Sequence, residues 1–424
     1  MTFAIHTFGC KVNIYESEYV TNLLLNNDYK MIPFDGDKEA DIYIINTCTV
    51  TNEADKKDRK LINQTRLKHP KKILIVMGCY SQLNPSDINA DIIIGNKYKS
   101  ELVDLIAEFK KHNQKIIKVT NITKINFEDM YINRFLTHTR AFVKIQDGCN
   151  AFCAYCTIPY ARGGIRSKEF DKAISEVTNL VNNGYKEIVL TGIHTGRYGI
   201  DIHTNLESLL RELVKIPNIL RIRLSSIEIN EITDGIIDLI KNNDIMAKHL
   251  HIPLQSGSNT ILKSMNRLYD KETFIKKIEH IRKEIPDISI TTDLILGFPG
   301  ETDELFKETM DTLNIIKFTK IHTFPYSRRN GTKAASMPNQ IDNTIKKCRV
   351  REVIDLSNKS ELSFYKSKIG NIYDGIIETR KDGNRIVITS NYIPVEIPTT
   401  LDNNTIVKVK INSVNRDRVK GEII

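Results

Sequence analysis

The chain has 424 residues, with 61 Lys and Arg against 52 Asp and Glu, a formal net charge of +9, seven cysteines and no tryptophan. Its 41% hydrophobic and 27% charged content excludes a disordered chain, and no apolar run approaches the ~18 residues that a membrane span needs. The length suits two to four domains of ~100–200 residues each.

Residues 1–115 alternate strand and helix patterns, as a parallel sheet with crossover helices requires. Strands are predicted at Thr2–Thr7, Asp41–Asn46, Lys72–Met77 and Asp91–Ile94. A helix is predicted over Glu16–Asn26, where Tyr19, Val20, Leu23 and Leu24 recur at helical spacing. A polar, irregular stretch at 121–139 reads as a linker. The next unit, 135–364, carries strand-like runs at Ala141–Ile145, Glu187–Leu190, Arg221–Leu224, His249–Leu254, Ile288–Leu296 and Lys320–Phe324. Helical stretches lie between them at Ser167–Asn182, Asn205–Val214, Glu231–Lys241, Lys271–Lys283 and Glu301–Ile316. Six β/α units in a row suit a barrel or a partial barrel.

A charge-rich helix is predicted at Asp342–Lys359, and residues 365–424 read as short strands only. These are Ile372–Ile377, Arg385–Thr389, Thr405–Ile411 and Arg418–Ile424, parted by turn signals such as Asp382-Gly383-Asn384 and Asp402-Asn403-Asn404. They fit a small all-β barrel of the oligonucleotide-binding kind. Ten Lys and Arg against seven Asp and Glu give that module only a modest positive excess. The excess over the whole chain suits a polyanionic partner such as nucleic acid.

Met1 runs into Thr2-Phe3-Ala4-Ile5 without a signal-peptide pattern, so a cytoplasmic location is expected. In a reducing compartment an odd set of seven cysteines points to metal binding or catalysis rather than to a disulfide framework. Three lie in one loop, Cys149-Asn150-Ala151-Phe152-Cys153-Ala154-Tyr155-Cys156, just after the first strand of the long β/α run. Three soft thiolates at this CxxxCxxC spacing suit an iron–sulfur cluster. A structural zinc would want four closed ligands, and no fourth Cys or His lies near in sequence. Cys10, Cys48 and Cys79 are dispersed, but each follows a predicted strand. The carboxyl ends of parallel strands share one edge, so these thiols either converge there or are three small buried hydrophobes. Cys348 carries no assignment. No Gly-x-Ser-x-Gly elbow, His-Glu-x-x-His or Walker A loop supports hydrolysis.

The CxxxCxxC with Tyr155 before its last cysteine resembles the signature of radical S-adenosylmethionine enzymes. Asp147 to Gly163, Asn46-Thr47-Cys48-Thr49-Val50, Gly78-Cys79-Tyr80 and Leu296-Gly297-Phe298-Pro299-Gly300-Glu301 resemble the methylthiotransferase branch. Gly9-Cys10-Lys11-Val12-Asn13 and Asn52-Glu53-Ala54-Asp55 are similar to the sub-branch that acts on N6-threonylcarbamoyladenosine in tRNA. The isopentenyladenosine sub-branch usually has Gln-Met-Asn after the first cysteine, and the ribosomal-protein sub-branch has Pro-Lys-Asn. Phe8 and Ile14 stand where Leu and Gln are usual.

The resemblance implies a [4Fe–4S] cluster on Cys149, Cys153 and Cys156 whose open iron chelates S-adenosylmethionine, giving a 5′-deoxyadenosyl radical on reduction. It implies a second [4Fe–4S] cluster on Cys10, Cys48 and Cys79, bearing or supplying the sulfur that is methylated and joined to the adenine. The product would be a methylthio group at C2 of the modified adenosine at position 37, in the anticodon loop of tRNA. Flavodoxin or ferredoxin would supply the electron, and residues 365–424 would be a TRAM module that grips RNA. Cofactor contacts are expected from Tyr155, Gly192, Ser226, Glu228 and Gln255; for the glycine an ordinary turn, and for the serine helix capping, are the alternatives. Arg162 and Arg166 face phosphate, cofactor or solvent. His249 and His251 point the same way along a strand and suit a packed or hydrogen-bonded role. The competing functions are methylthiolation of isopentenyladenosine or of a ribosomal protein, and a non-catalytic iron–sulfur protein that binds RNA.

Overall fold

The computed structural model of the chain describes residues 1–136, 138–380, 383–415 and 418–424. Six strands, β1 (Thr2–Thr7), β2 (Lys30–Met31), β3 (Ile42–Thr47), β4 (Ile73–Gly78), β5 (Ile92–Ile94) and β6 (Ile116–Lys118), form one parallel sheet in the order β2-β1-β3-β4-β5-β6. Strands β3 and β4 bury almost every residue, as strands covered on both faces must. Alternate side chains divide between two cores. Phe3, Ile42, Ile44 and Ile75 pack under helices α1 (Lys11–Leu25) and α4 (Leu102–His112). Ala4, Tyr43, Ile45 and Val76 pack with Ile62 of α2 (Asn52–Lys68) and Tyr80 of α3 (Cys79–Leu83). Strand β6 lies just past the edge expected at residue 115.

The central unit begins with β7 (Ala141–Lys144), the short pair β8 (Gln146–Asp147) and β9 (Arg166–Ser167), and between them α5 (Ile158–Arg162). It continues as α6 (Phe170–Asn182), β10 (Glu187–Thr191), α7 (Leu206–Leu213), β11 (Arg221–Leu224), α8 (Asp234–Asn242), β12 (His249–His251), α9 (Asn259–Ser264), α10 (Lys271–Glu284), β13 (Ser289–Leu296), α11 (Asp303–Ile316), β14 (Lys320–Pro325) and α12 (Asn343–Lys366). Strands β7, β10 and β11 pair in parallel, as do β12, β13 and β14. The bridges Ile222 to Met246 and Ser226 to His251 join the two triples into one six-stranded run. No pairing joins β7 to β14 among the described residues, so the barrel is partial. Polar N-caps begin its helices: Asn205, Thr233, Asp270 and Thr302 each accept a backbone N–H from the first turn.

The stretch expected to be a linker between domains is packed down onto both. Met130, Ile132 and Phe135 are buried in the barrel core, and Tyr15 of α1 donates to the Met130 carbonyl at 2.7 Å. Helix α12 also outruns its expected end at Lys359 and passes the boundary at 365. Beyond it, β15 (Ile372–Thr379), β16 (Arg385–Thr389), β17 (Pro394–Glu396), β18 (Ile406–Asn415) and β19 (Arg418–Ile423) close a barrel in the order β15-β16-β17-β19-β18. Ile377, Val387, Val395, Val409 and Val419 fill it. Strand β17 was not expected, and Asp382 of the predicted turn lies outside the described residues. No helix among the described residues is long and apolar enough to cross a membrane.

Candidate active site

Strands β1, β3 and β4 are neighbours, and their registers set Thr7 beside Asn46 and Thr47 beside Gly78. Their carboxyl ends are therefore level, and Cys10, Cys48 and Cys79 leave that edge together. Gly9 and Gly78 make the turns with φ of +104° and +107°, and a Cβ on Gly9 would meet Cys48 Sγ at 3.1 Å. Burial, with Cys79 nearby, pushes the Cys48 thiol up to about 12. Burial raises Cys79 as well, against the pull of Arg162, whose Nε donates to Cys79 Sγ at 3.2 Å.

The CxxxCxxC loop is braced from several elements. Cys149 N–H donates to the Gly163 carbonyl at 2.9 Å, Ala154 N–H to Met265 at 2.9 Å, and the Ala154 carbonyl accepts from Ala334 at 2.8 Å. Its sulfurs meet polar partners: Cys149 Sγ lies 3.3 Å from His194 Nδ1, and Arg267 Nη1 donates to Cys153 Sγ at 3.3 Å. Burial, with Cys153 and Cys149 beside it, pushes Cys156 up to about 12. Burial opposes the His194 cation, yet Cys149 and Glu231 outweigh it and raise its pKa to about 10.

Among the described residues no three Cys, His, Asp or Glu side chains gather closely enough for a single ion. An iron–sulfur cluster takes its thiolates on separate irons and asks for wider spacing, with N–H donors and cations at the sulfurs to tune it. Both triads present that donor set. The Cys48, Cys79 and Cys156 thiols, raised by burial, would have to lose their protons to ligate a metal.

A cavity of about 180 Å³ lies between the loop that follows Cys48 and the loop that carries Cys156, with Cys156 on its lining. Val50 and Thr51, just after Cys48, form one wall, and Tyr155, Cys156, Gln255 and Asp293 form others. Thr157 Oγ1 donates to the Thr49 carbonyl at 3.2 Å, tying the two loops directly. Of the expected cofactor residues, Tyr155 and Gln255 thus reach the cavity. Glu228 pairs with Arg267, the arginine on Cys153. Gly192 lies against Gln146, where a Cβ would approach to 3.0 Å, and Gln146 Oε1 accepts the His194 N–H at 2.7 Å. Ser226 is not brought to this cavity; it is exposed and lines a second one lower in the barrel.

Arg162 and Arg166 are buried, which removes the solvated and phosphate-facing readings. Arg162 joins Glu16 at 2.8 Å, Asn13 at 2.8 Å and Asp147 at 3.2 Å, so it ties α1 to the cluster loop. His194, Arg267 and Arg162 on Cys79 are contacts that the sequence reading missed. Only the Gly-Ile-His run at 192–194 carried a signal for one of them.

The sequence pattern of the Radical SAM superfamily matches residues 143–313, and that of the uncharacterized protein family UPF0004 matches residues 2–96. Threonylcarbamoyladenosine tRNA methylthiotransferase MtaB of Bacillus subtilis is 41% identical over 100% of this chain and 96% of its own. The chain belongs to the radical S-adenosylmethionine tRNA methylthiotransferase family. The same-named protein of Aquifex aeolicus is 38% identical over 93% of this chain and 96% of its own. A tRNA-2-methylthio-N(6)-dimethylallyladenosine synthase of Thermoanaerobacter pseudethanolicus is 36% identical over 91% and 84%. The radical S-adenosylmethionine methyltransferase TsrM of Kitasatospora setae, solved with cobalamin and a [4Fe–4S] cluster, shares the fold. Its TM-score is 0.57 at 14% identity, over 79% of this chain and 77% of that one. As a family member the chain is a transferase that modifies tRNA and uses S-adenosylmethionine with [4Fe–4S] chemistry.

Proposed function

We propose that this transferase adds a methylthio group to C2 of N6-threonylcarbamoyladenosine at position 37 of tRNA, beside the anticodon. The observation that carries the reading is the pair of cysteine triads, one from each α/β unit, whose loops are tied by Thr157 Oγ1 to the Thr49 carbonyl at 3.2 Å and share a cavity lined by Val50, Thr51 and Cys156. Cys149, Cys153 and Cys156 would hold the cluster that, with S-adenosylmethionine, supplies a 5′-deoxyadenosyl radical, chemistry beyond any acid or base side chain. Cys10, Cys48 and Cys79 would hold the second cluster.

The chain's own side chains orient these groups. Arg267 and His194 fix the sulfurs of Cys153 and Cys149, and Arg162 fixes that of Cys79. Tyr155 and Gln255 line the cavity for the cofactor, Glu228 holds Arg267, and Gly192 leaves room for Gln146 behind the loop. A cleft of about 940 Å³ adjoins the cavity and carries Lys56, Arg59, Arg328, Lys346 and Lys347. That lining suits the phosphates of an anticodon loop. Residues 1–115 would then carry the auxiliary cluster, 135–364 the radical chemistry and 365–424, as a TRAM module, further RNA contacts. Flavodoxin or ferredoxin would serve as reductant in the cytoplasm.

The threonylcarbamoyl substrate is supported by the names of the two MtaB relatives. The relative at 36% identity favours a second reading, isopentenyladenosine. Mass spectrometry of nucleosides from digested tRNA separates them. Deleting the gene should remove the methylthio form of threonylcarbamoyladenosine; its persistence sinks the first reading, and loss of the isopentenyl product instead supports the second. Cys153→Ala should stop 5′-deoxyadenosine formation, whereas Cys48→Ala should stop methylthio transfer while 5′-deoxyadenosine still forms.

A further inference from the structure

A second cavity, of about 480 Å³, lies in the barrel lumen where all three parts of the chain meet. Lys11 enters it from α1, Ser226, His249, His251 and His322 from the barrel, and Tyr392 from the C-terminal β-barrel. It shares a wall with the reaction cavity: His251 Nε2 lies 3.1 Å from Asp293 Oδ2, and Asp293 lines the first cavity. Its volume lies in the range of small-molecule sites.

Most of the charged groups on its wall are paired among the described residues. Lys320 pairs with Glu361 at 2.9 Å, Arg380 with Glu396 at 2.7 Å, and His251 with Asp293. Lys11 makes no hydrogen bond or ion pair among the described residues; burial works against its charge, Tyr392 and Cys10 favour it, and Arg140 and Arg223 oppose it. A half-buried ammonium that faces a cavity without a counter-charge favours an anion there. A second group is also unmatched. His249 is buried, its Nε2 lies 3.3 Å from Thr291 Oγ1, and its Nδ1 has no partner among the described residues. Burial and Arg223 hold this imidazole well below its ordinary value, so it offers a neutral polar atom. Lys11 is also the residue after Cys10, so the cavity opens beside the first triad.

We propose that this cavity reads the carboxylate of the threonylcarbamoyl substituent, with Lys11 Nζ as its ion-pair partner and His249 Nδ1 as a further polar contact. The inference rests on the threonylcarbamoyladenosine reading above. A phosphate of the same RNA is the other available anion, and the experiment distinguishes the two.

The test uses reconstituted full-length enzyme and three anticodon stem–loops, bearing threonylcarbamoyladenosine, its neutral methyl ester, or isopentenyladenosine. Binding is read by fluorescence anisotropy and turnover by the KM of methylthiolation. The wild type should prefer the acid over the ester by about 30-fold, the low end for a desolvated charge pair. Lys11→Gln should abolish that preference and Lys11→Arg retain it, with thermal unfolding of each variant showing an intact fold. Undiminished acid preference in Lys11→Gln overturns the inference. So does an equal loss on all three RNAs, which assigns Lys11 to a phosphate. A wild type that does not act on the threonylcarbamoyladenosine stem–loop overturns the functional reading and this inference with it, whereas the first two outcomes overturn the inference alone.

Discussion

Arg162 is fully buried, and its guanidinium is shared among groups from two domains: Glu16 and Asn13 on α1, Asp147 before the cluster loop and the Cys79 sulfur. Burial disfavours all these charges, and their mutual pairing offsets it, holding the Glu16 and Asp147 carboxyls well below the usual carboxylate range. Removing one member of such a set leaves buried charge uncompensated, at a cost of about 3–5 kcal/mol. Arg162→Met should therefore lower stability by that order, read as a shift of the urea midpoint, although Lys144 still pairs with Glu16 at 3.0 Å. A midpoint unchanged from wild type would show that the arginine is dispensable. The sequence put Arg162 beside the cluster loop but gave no hint of its partners. Apart from Asp147, they lie 83 to 149 positions away, and no local periodicity encodes a contact across that separation. The cysteines were more legible, because a strand end is a local feature and parallel topology does the gathering.

At the scale of the element, the cluster loop depends on two glycines that face each other across it. Gly148 has a φ of +75°, and a Cβ there would fall 1.8 Å from the Gly164 carbonyl oxygen. That atom is backbone, so the loop carrying Cys149 has to move. Gly148→Ala should cut both the iron bound per chain after reconstitution and the rate of 5′-deoxyadenosine formation. Gly184→Ala is the control, since its φ of +95° is strained but no described residue lies within 4 Å of the new methyl. It should cost about 1–2 kcal/mol and leave iron content alone. If the two variants load iron equally, the close approach at Gly148 does not govern the site. Element legibility followed the same division between local and distant information. Continuous apolar runs such as Ile73 to Met77 announce buried parallel strands by themselves. Strand β17 is three residues long, begins with a proline and owes its place to β16 and β19, so its sequence carries little strand signal.

Across the whole molecule, Glu187 in β10 links the partial barrel to the C-terminal barrel. It is fully buried and meets Arg223 at 2.8 Å and Arg221 at 3.3 Å. Those arginines turn their other donors onto backbone carbonyls of the second barrel: Arg221 onto Ile388 and Asp374 at 3.0 Å, Arg223 onto Thr389 and Ser390 at 3.2 Å. The carboxylate therefore orients two guanidinium groups that hold a neighbouring unit. Arg223 also stacks over Tyr392, with its guanidinium carbon 4.4 Å from the ring centroid, and Tyr392 lines the lumen cavity. Docking of the β-barrel and the floor of that cavity thus share one residue. Burial works against the Glu187 charge, but Arg223, Arg140 and Arg221 around it prevail and lower its pKa below the ordinary 4.5. A carboxyl depressed on folding contributes stability that is complete above 4.5 and is lost as pH falls through its folded value. Glu187→Gln mimics the protonated form, so it should destabilise the protein by about 3 kcal/mol at neutral pH. The gap to wild type should narrow as pH falls below 4.5, because the wild-type carboxylate is then being neutralised too. Thermal unfolding of both proteins across that range measures the gap directly. A gap that stays constant into acid would mean that the charge of Glu187 does not hold the two barrels together, and that the arginines dock on the carbonyls unaided.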